Sequence, residues 1–210
     1  MATKTQTPAV SSTQSSTPRG RREKFVLTDN RMTIEDWAAL PDLKPRYELI
    51  GGRLVQKMTT TSKHAWTVGE LLFELKTWGK NAGWIFLPEG VGIKLGQNDG
   101  AVADITGFQP GTELQPDATY FTQTPFLIVE VVSRSTAKRD RTDKKVGYAR
   151  IGVQLYLIAD PDKKTLEICT LKNGKYGSPP VLQDNDVWQP AQLPELRLEV
   201  ARLWLNSTEG

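Results

Sequence analysis

Two acidic residues each stand inside an otherwise apolar run: Asp104 within residues 101–108 and Glu130 within residues 125–133. Runs of roughly four to eight apolar or β-branched residues read as buried or half-buried strands. An ionised carboxylate in such a strand is costly unless it is paired, hydrogen-bonded or bound to a metal. Two such positions point to a shared cation site. The next segment, 136–148, brings lysines close behind in sequence. Two acids and one lysine are the groups required for metal-assisted phosphodiester hydrolysis.

Local patterns define the elements that must hold these groups. Thr33 and Asp36 have the spacing to cap a short helix through Leu40, which Pro41 and Pro45 terminate. Residues 47–50, Gly51-Gly52 and 53–55 read as a hairpin with a two-residue turn. Ser62 caps a helix whose apolar stripe is Val68, Leu71, Leu72, Leu75 and Trp78, with Gly83 beyond its end. Strands are expected at 84–88, 91–95, 101–108 and 125–132, then a helix at 138–150 ending at Gly152. Two more strands, 153–159 and 165–171, flank a turn at 161–164. Asn173-Gly174 marks a further hairpin, and an apolar segment, 196–205, packs on an edge. A mixed sheet with one helix before its central strands and one after defines an α/β or α+β sandwich.

Composition narrows the function. The 210 residues are 38% hydrophobic and 24% charged, as in a soluble globular protein. No stretch reaches the roughly 18 apolar residues of a membrane span, so no membrane association is expected. The single cysteine, Cys169, excludes an internal disulfide and fits a reducing, cytoplasmic setting. A lone histidine, His64, disfavours a multi-histidine metal site. The net charge of +3 divides unevenly: residues 1–24 carry +4 and the remainder −1. The body is not a basic nucleic-acid binder by composition, and any phosphate-facing surface must be local. Residues 1–25, rich in Ser, Thr, Gln and Pro, are expected to be a disordered basic tail, and 26–210 one domain.

Taken in order, Tyr47-Glu48-Leu49-Ile50, Gly52, Leu54-Val55, His64, Asp104, Val129-Glu130-Val131, Ser133, Ser135-Thr136, Asp140, Lys144, Tyr148, Gly152-Val153 and Asp160-Pro161 resemble the Uma-type restriction endonuclease family of the PD-(D/E)XK nuclease superfamily. The resemblance spans about residues 30–205. It implies a restriction-endonuclease-like core: a mixed central sheet flanked by helices, with added hairpins. It also implies a Mg²⁺- or Mn²⁺-dependent DNA endonuclease. Asp104, Glu130 and the backbone carbonyl of Val131 would then bind the metal. The lysine that the superfamily carries two residues after the Glu is Val132 here, and Lys144 on the following helix takes its place, with Lys145 as alternative. Glu48 matches an acidic position at the site rim or a second cation. Cutting both strands of a duplex suits a homodimer.

One feature departs from the family pattern: the usual Pro-Asp reads Ala103-Asp104. Pro116-Asp117 preserves the dipeptide but lies 13 residues before Glu130 rather than 26, in a Gly/Pro/Gln-rich loop. Asp104 is preferred because its flanks form a strand, and Asp117 remains the alternative.

Each position also has a plainer reading. Glu130 can be a strand-end acid paired with an arginine, and Asp104 a solvent-facing residue of an amphipathic strand. Asp140 and Lys144, spaced i to i+4, can be a surface salt bridge, and Glu48 an edge-strand acid. Tyr148 reads as packing with a hydroxyl handle, His64 as a capping or surface residue, and Ser133 and Ser135 as turn formers. Lys138, Arg139 and Arg141 read as a solvated face or DNA-backbone contacts. Cys169 reads as a small core residue. At the level of function, the alternative to an endonuclease is a catalytically inactive nuclease fold that binds nucleic acid or protein.

Overall fold

The computed structural model describes residues 25–26, 31–40, 47–57, 60–134 and 136–205. Residues 1–24 of the expected disordered tail, Pro41, Pro45 and Ser135 lie outside the described residues, whereas Phe25 opens the first strand. The elements run β1 (Phe25–Val26), α1 (Ile34–Ala38), β2 (Tyr47–Ile50), β3 (Arg53–Gln56), α2 (Ser62–Gly79), β4 (Ile85–Pro88), β5 (Gly92–Gly96), β6 (Asp99–Ala101), β7 (Ile105–Phe108), β8 (Tyr120–Phe121) and β9 (Leu127–Val131). A helical segment follows in three joined pieces: α3 (Ala137–Arg139), a π-turn (Asp140–Lys144) and α4 (Lys145–Arg150). The chain ends with β10 (Leu155–Asp160), β11 (Thr165–Lys172), β12 (Lys175–Tyr176), β13 (Val181–Gln183), β14 (Val187–Trp188), β15 (Leu198–Glu199) and a 3₁₀ turn, Val200–Leu203.

Two mixed sheets carry the fold. The larger orders its strands β12-β11-β10-β9-β7-β4, with β13 also on β11. Its centre is the parallel pair β9–β10, in which Glu130 faces Ile158 across the ladder. Parallel neighbours require a crossover, and the helical segment 137–150 supplies it. The central strands are buried on both faces, which is why they read as continuous apolar runs rather than alternating ones. One face packs Leu127, Val129, Leu155 and Leu157 against Leu71 and Leu75 of α2. The other packs Ile128, Tyr156 and Ile158 against Tyr148 of α4 and Ile93 and Ala101 of the second sheet. That second sheet has the order β1-β3-β2-β6-β5-β8.

Most local expectations hold. Thr33 and Asp36 form a reciprocal capping box on α1. The Gly-Gly turn joins β2 to β3 with φ of +55° and +78°, as a primed turn demands. Helix α2 buries Thr67, Leu71, Leu75 and Gly79 at helical spacing. Asn173 and Gly174 both take positive φ between β11 and β12.

Three corrections follow. The cap of α2 is Thr61, whose hydroxyl accepts from the His64 amide, and Ser62 is the first helical residue. The terminal apolar segment goes deeper than an edge cover: Leu196, Leu198, Val200 and Leu203 share the core of α2, and Thr67 Oγ1 donates to the Leu203 carbonyl at 3.0 Å. Most consequentially, 101–108 is not one strand. It divides into β6, paired with β2 and β5, and β7, paired with β4 and β9. The chain crosses from one sheet to the other through residues 102–104, and Asp104 occupies the crossing.

Candidate active site

Asp104 is buried at this crossing, beside the C-terminal end of β9. Its Oδ2 accepts the Val131 amide at 2.7 Å. Its Oδ1 accepts from Lys57 Nζ at 3.0 Å and lies 3.5 Å from His64 Nε2. Glu130, also buried, projects from β9, and its Oε1 accepts from Lys144 Nζ at 2.8 Å and from the Tyr148 hydroxyl at 2.7 Å. Both acids line one small cavity of about 20 Å³ with Lys57, Thr60, His64, Val131, Ser133 and Lys144. That space holds one water-sized species. The alternative acid, Asp117, is exposed in a turn and is not among the cavity residues.

The π-turn sets the geometry of Lys144. Such turns are rare and occur mostly as single insertions inside α-helices. Here the turn presents both Asp140 and Lys144 inward, where both are buried. Lys144 is therefore not half of a surface salt bridge: its ammonium sits 2.8 Å from Glu130, 2.8 Å from Glu48 and 3.6 Å from Asp140. Glu48 is likewise not an edge acid. It is 1% exposed, accepts the Val102 amide at 3.2 Å and pairs with Lys144 and Arg139. It lies behind Lys144, outside the cavity that Asp104 and Glu130 line.

The electrostatics follow from this packing. Burial pushes the Lys144 ammonium toward its neutral form, but Glu130, Glu48 and Asp140 outweigh burial and hold it charged far above the usual lysine range. Burial likewise raises the Asp104 and Glu48 carboxyls, and their partners reverse the sign: the His64 ring and the Lys57 ammonium hold Asp104 low, and Lys144 and Arg139 hold Glu48 low. Glu130 goes the other way, to about 8, because burial, reinforced by Asp104 and Asp140, exceeds the pull of Lys144.

The test of fit for a metal is the chemistry of the donors. Two carboxylates share a water-sized space and supply hard oxygen ligands. No cluster of three or more His, Cys, Asp or Glu side chains among the described residues is arranged to enclose a metal. Such a set fits an ion that keeps several waters, as Mg²⁺ and Mn²⁺ do, better than a fully protein-caged ion.

Several residues occupy places that their sequence context does not show. Lys57 reads as an ordinary residue after a hairpin, yet its side chain is only 10% exposed and lines the cavity. His64 is the third residue of α2, and its burial brings it to Asp104. Tyr148 packs edge-on against Tyr156 at 5.0 Å, as a packing residue would, and spends its hydroxyl on Glu130. Arg139 and Arg141 turn inward, to Glu48 and to Asp160 with Glu167 respectively, rather than forming a solvated face. Ser133 shapes the turn into α3, its carbonyl accepting the Ala137 amide at 2.9 Å. Val132 and Cys169 are core residues.

With this geometry in place, comparison with known proteins identifies the class. The sequence matches the Uma2 family, described as "Putative restriction endonuclease", over residues 34–201, and the chain belongs to that family. A crystal structure from Anabaena variabilis ATCC 29413, described as a "putative nuclease belonging to DUF820", superposes with a TM-score of 0.70 at 21% identity. The match covers 82% of this chain and 97% of that one, and it establishes the shared fold. No curated protein matches the chain. Family and fold together support a nuclease function. Among the described residues no helix is long and apolar enough to cross a membrane.

Proposed function

We propose that the chain is a divalent-metal-dependent DNA endonuclease. The observation that supports this most directly is the convergence of Asp104 and Glu130 on one water-sized cavity with two lysines, the buried Lys144 and the half-buried Lys57. In this reading Asp104, Glu130 and the Val131 carbonyl hold Mg²⁺ or Mn²⁺. The cation would polarise a phosphoryl oxygen and lower the pKa of a bound water. The protein does the remaining work. Val131 donates its amide to Asp104, which fixes the carboxylate against the strand end. Lys144 and Tyr148 fix the rotamer of Glu130. Glu48, itself paired with Arg139, holds Lys144 from behind. Hydrolysis forms one P–O bond to water and breaks one P–O bond to a sugar oxygen. One chain supplies every one of these groups, so the chemistry does not require a dimer.

The test is plasmid cleavage by purified protein with Mg²⁺, Mn²⁺ or EDTA, beside Glu130→Ala and Asp104→Asn. Metal-dependent nicking that both variants lose is the expected result. Equal nicking by Glu130→Ala, once contaminating nucleases are excluded, sinks the assignment.

One observation favours a non-catalytic binding module instead. Asp104 and Glu130 already have ammonium partners at 3.0 and 2.8 Å, so burial is tolerable without a metal. That reading requires no stabilisation by divalent cations and no cleavage of any DNA form.

A further inference from the structure

The two lysines of the cavity are not equivalent. An ammonium has three hydrogens to donate. Around Lys144 three buried carboxylates already compete for them: Glu130 at 2.8 Å, Glu48 at 2.8 Å and Asp140 at 3.6 Å. Freeing one donor there would strand a buried carboxylate, which is costly. Lys57 enters the same cavity from the end of β3. Two of its partners are interior, the Val102 carbonyl at 3.1 Å and Asp104 Oδ1 at 3.0 Å. The third is Glu89 Oε1 at 3.2 Å, in the connection between β4 and β5, on a side chain that is 31% exposed. A half-exposed carboxylate can swing into water while Lys57 keeps its two interior partners. Its oxygen presents to Lys57 the same anionic acceptor that a phosphate would.

We propose that Lys57 is the lysine that meets the substrate: it exchanges Glu89 for a non-bridging oxygen of the scissile phosphate, while Lys144 serves as a positioning residue for Glu130. Glu89 is then a stand-in for the phosphate in the empty enzyme. Like charge also biases Lys57 outward, away from Asp104 Oδ1, whenever that oxygen takes a divalent cation. The assignment rests on the nuclease reading given above.

The experiment compares wild type, Lys57→Met, Lys57→Arg, Glu89→Gln and Glu130→Ala in metal-dependent cleavage, with Mn²⁺ binding followed by the loss of free-ion paramagnetic resonance. Lys57→Met is expected to lose about 100-fold in kcat, the scale of one transition-state donor, and Lys57→Arg to regain part of it. Lys57→Met is also expected to bind Mn²⁺ at least as tightly as wild type, because a competing cation leaves Asp104. A merely structural Lys57 would instead weaken Mn²⁺ binding. Glu89→Gln is expected to lower KM about threefold with kcat unchanged, since removing the competing rim charge adds a fraction of a kcal/mol to phosphate binding. Wild-type kcat in Lys57→Met, alongside a dead Glu130→Ala, overturns the proposal. Should Lys57→Met not fold, an unchanged KM in Glu89→Gln overturns it. Absence of cleavage by wild type removes the nuclease reading, and this inference with it.

Discussion

The Val131 amide donates to Asp104 Oδ2 across 2.7 Å, joining the crossing between the two sheets to the end of the central strand. One carboxylate oxygen is thereby spent on the backbone, and the other is left for Lys57 and a cation. A cation bound only by the native protein must stabilise it, by about 2.7 kcal/mol at 100 times its Kd. Mg²⁺ or Mn²⁺ is expected to raise the melting temperature of the wild type, and Asp104→Asn to abolish the rise. Scanning calorimetry with and without EDTA checks this. An equal rise in the variant would place the cation elsewhere.

Glu48→Gln separates holding Lys144 from binding metal. Glu48 does not line the cavity, so Mn²⁺ affinity should change little. The substitution leaves Lys144 and Arg139 with one buried anion fewer. Breaking a buried pair costs about 3–5 kcal/mol, and that loss should appear in urea unfolding. A large fall in Mn²⁺ affinity would instead make Glu48 a ligand.

Stability in metal-free buffer should fall on both sides of weak acidity. The Asp104 carboxyl is held below its ordinary 3.8, so its contribution is fully present above that pH and is lost as pH falls through the depressed value. Glu130 is held above its ordinary 4.5, at about 8, so the native state binds the extra proton and stability declines as pH rises between those values. Urea midpoints across pH 2.5–9 are expected to lose the acid limb in Asp104→Asn and the alkaline limb in Glu130→Gln. Unchanged limbs would show that other groups set the profile.

Gly79→Ala weighs two effects against each other. Replacing glycine inside a helix gains up to about 1 kcal/mol. Here the added methyl would stand 2.6 Å from the Phe86 ring and 2.9 Å from Trp84 Cβ. Phe86 has nowhere easy to go, being stacked on Trp84 at 6.0 Å and faced by Trp78 at 6.3 Å. Overpacking costs about 1–3 kcal/mol, so the net expectation is destabilisation of about 1 kcal/mol by urea unfolding. Greater stability in the variant would refute the tight α2–β4 contact.

The elements with local causes were legible in the sequence. Capping chemistry at Thr33, paired glycines at 51–52, helical spacing in α2 and the apolar runs of β9 and β10 all act within a few residues. What was hidden depends on distant partners. The run 101–108 has strand composition throughout, but Ala101 pairs with Ile93 while Ile105 pairs with Val129. Nothing local marks the change of sheet between them. Lys57 finds its interior partners, the Val102 carbonyl and Asp104, some 45 positions away in sequence. Glu48 and Tyr148 could be singled out by residue type and spacing, yet their convergence on Lys144 and Glu130 comes from tertiary packing. The π-turn leaves no mark on periodicity, since Asp140 and Lys144 sit four apart in an α-helix too.

That turn makes the segment sensitive to a shift of one residue. An α-helix advances about 100° per residue. Excising one residue from 140–144 would let the crossover relax into a continuous α-helix with its length and composition almost intact. Lys144 and Tyr148, which both reach Glu130, would then turn by that angle relative to Arg139 upstream, so they could not keep Glu130 while Arg139 keeps Glu48. Substitutions across this segment can be absorbed one side chain at a time, whereas a single-codon deletion would misalign the whole group at once.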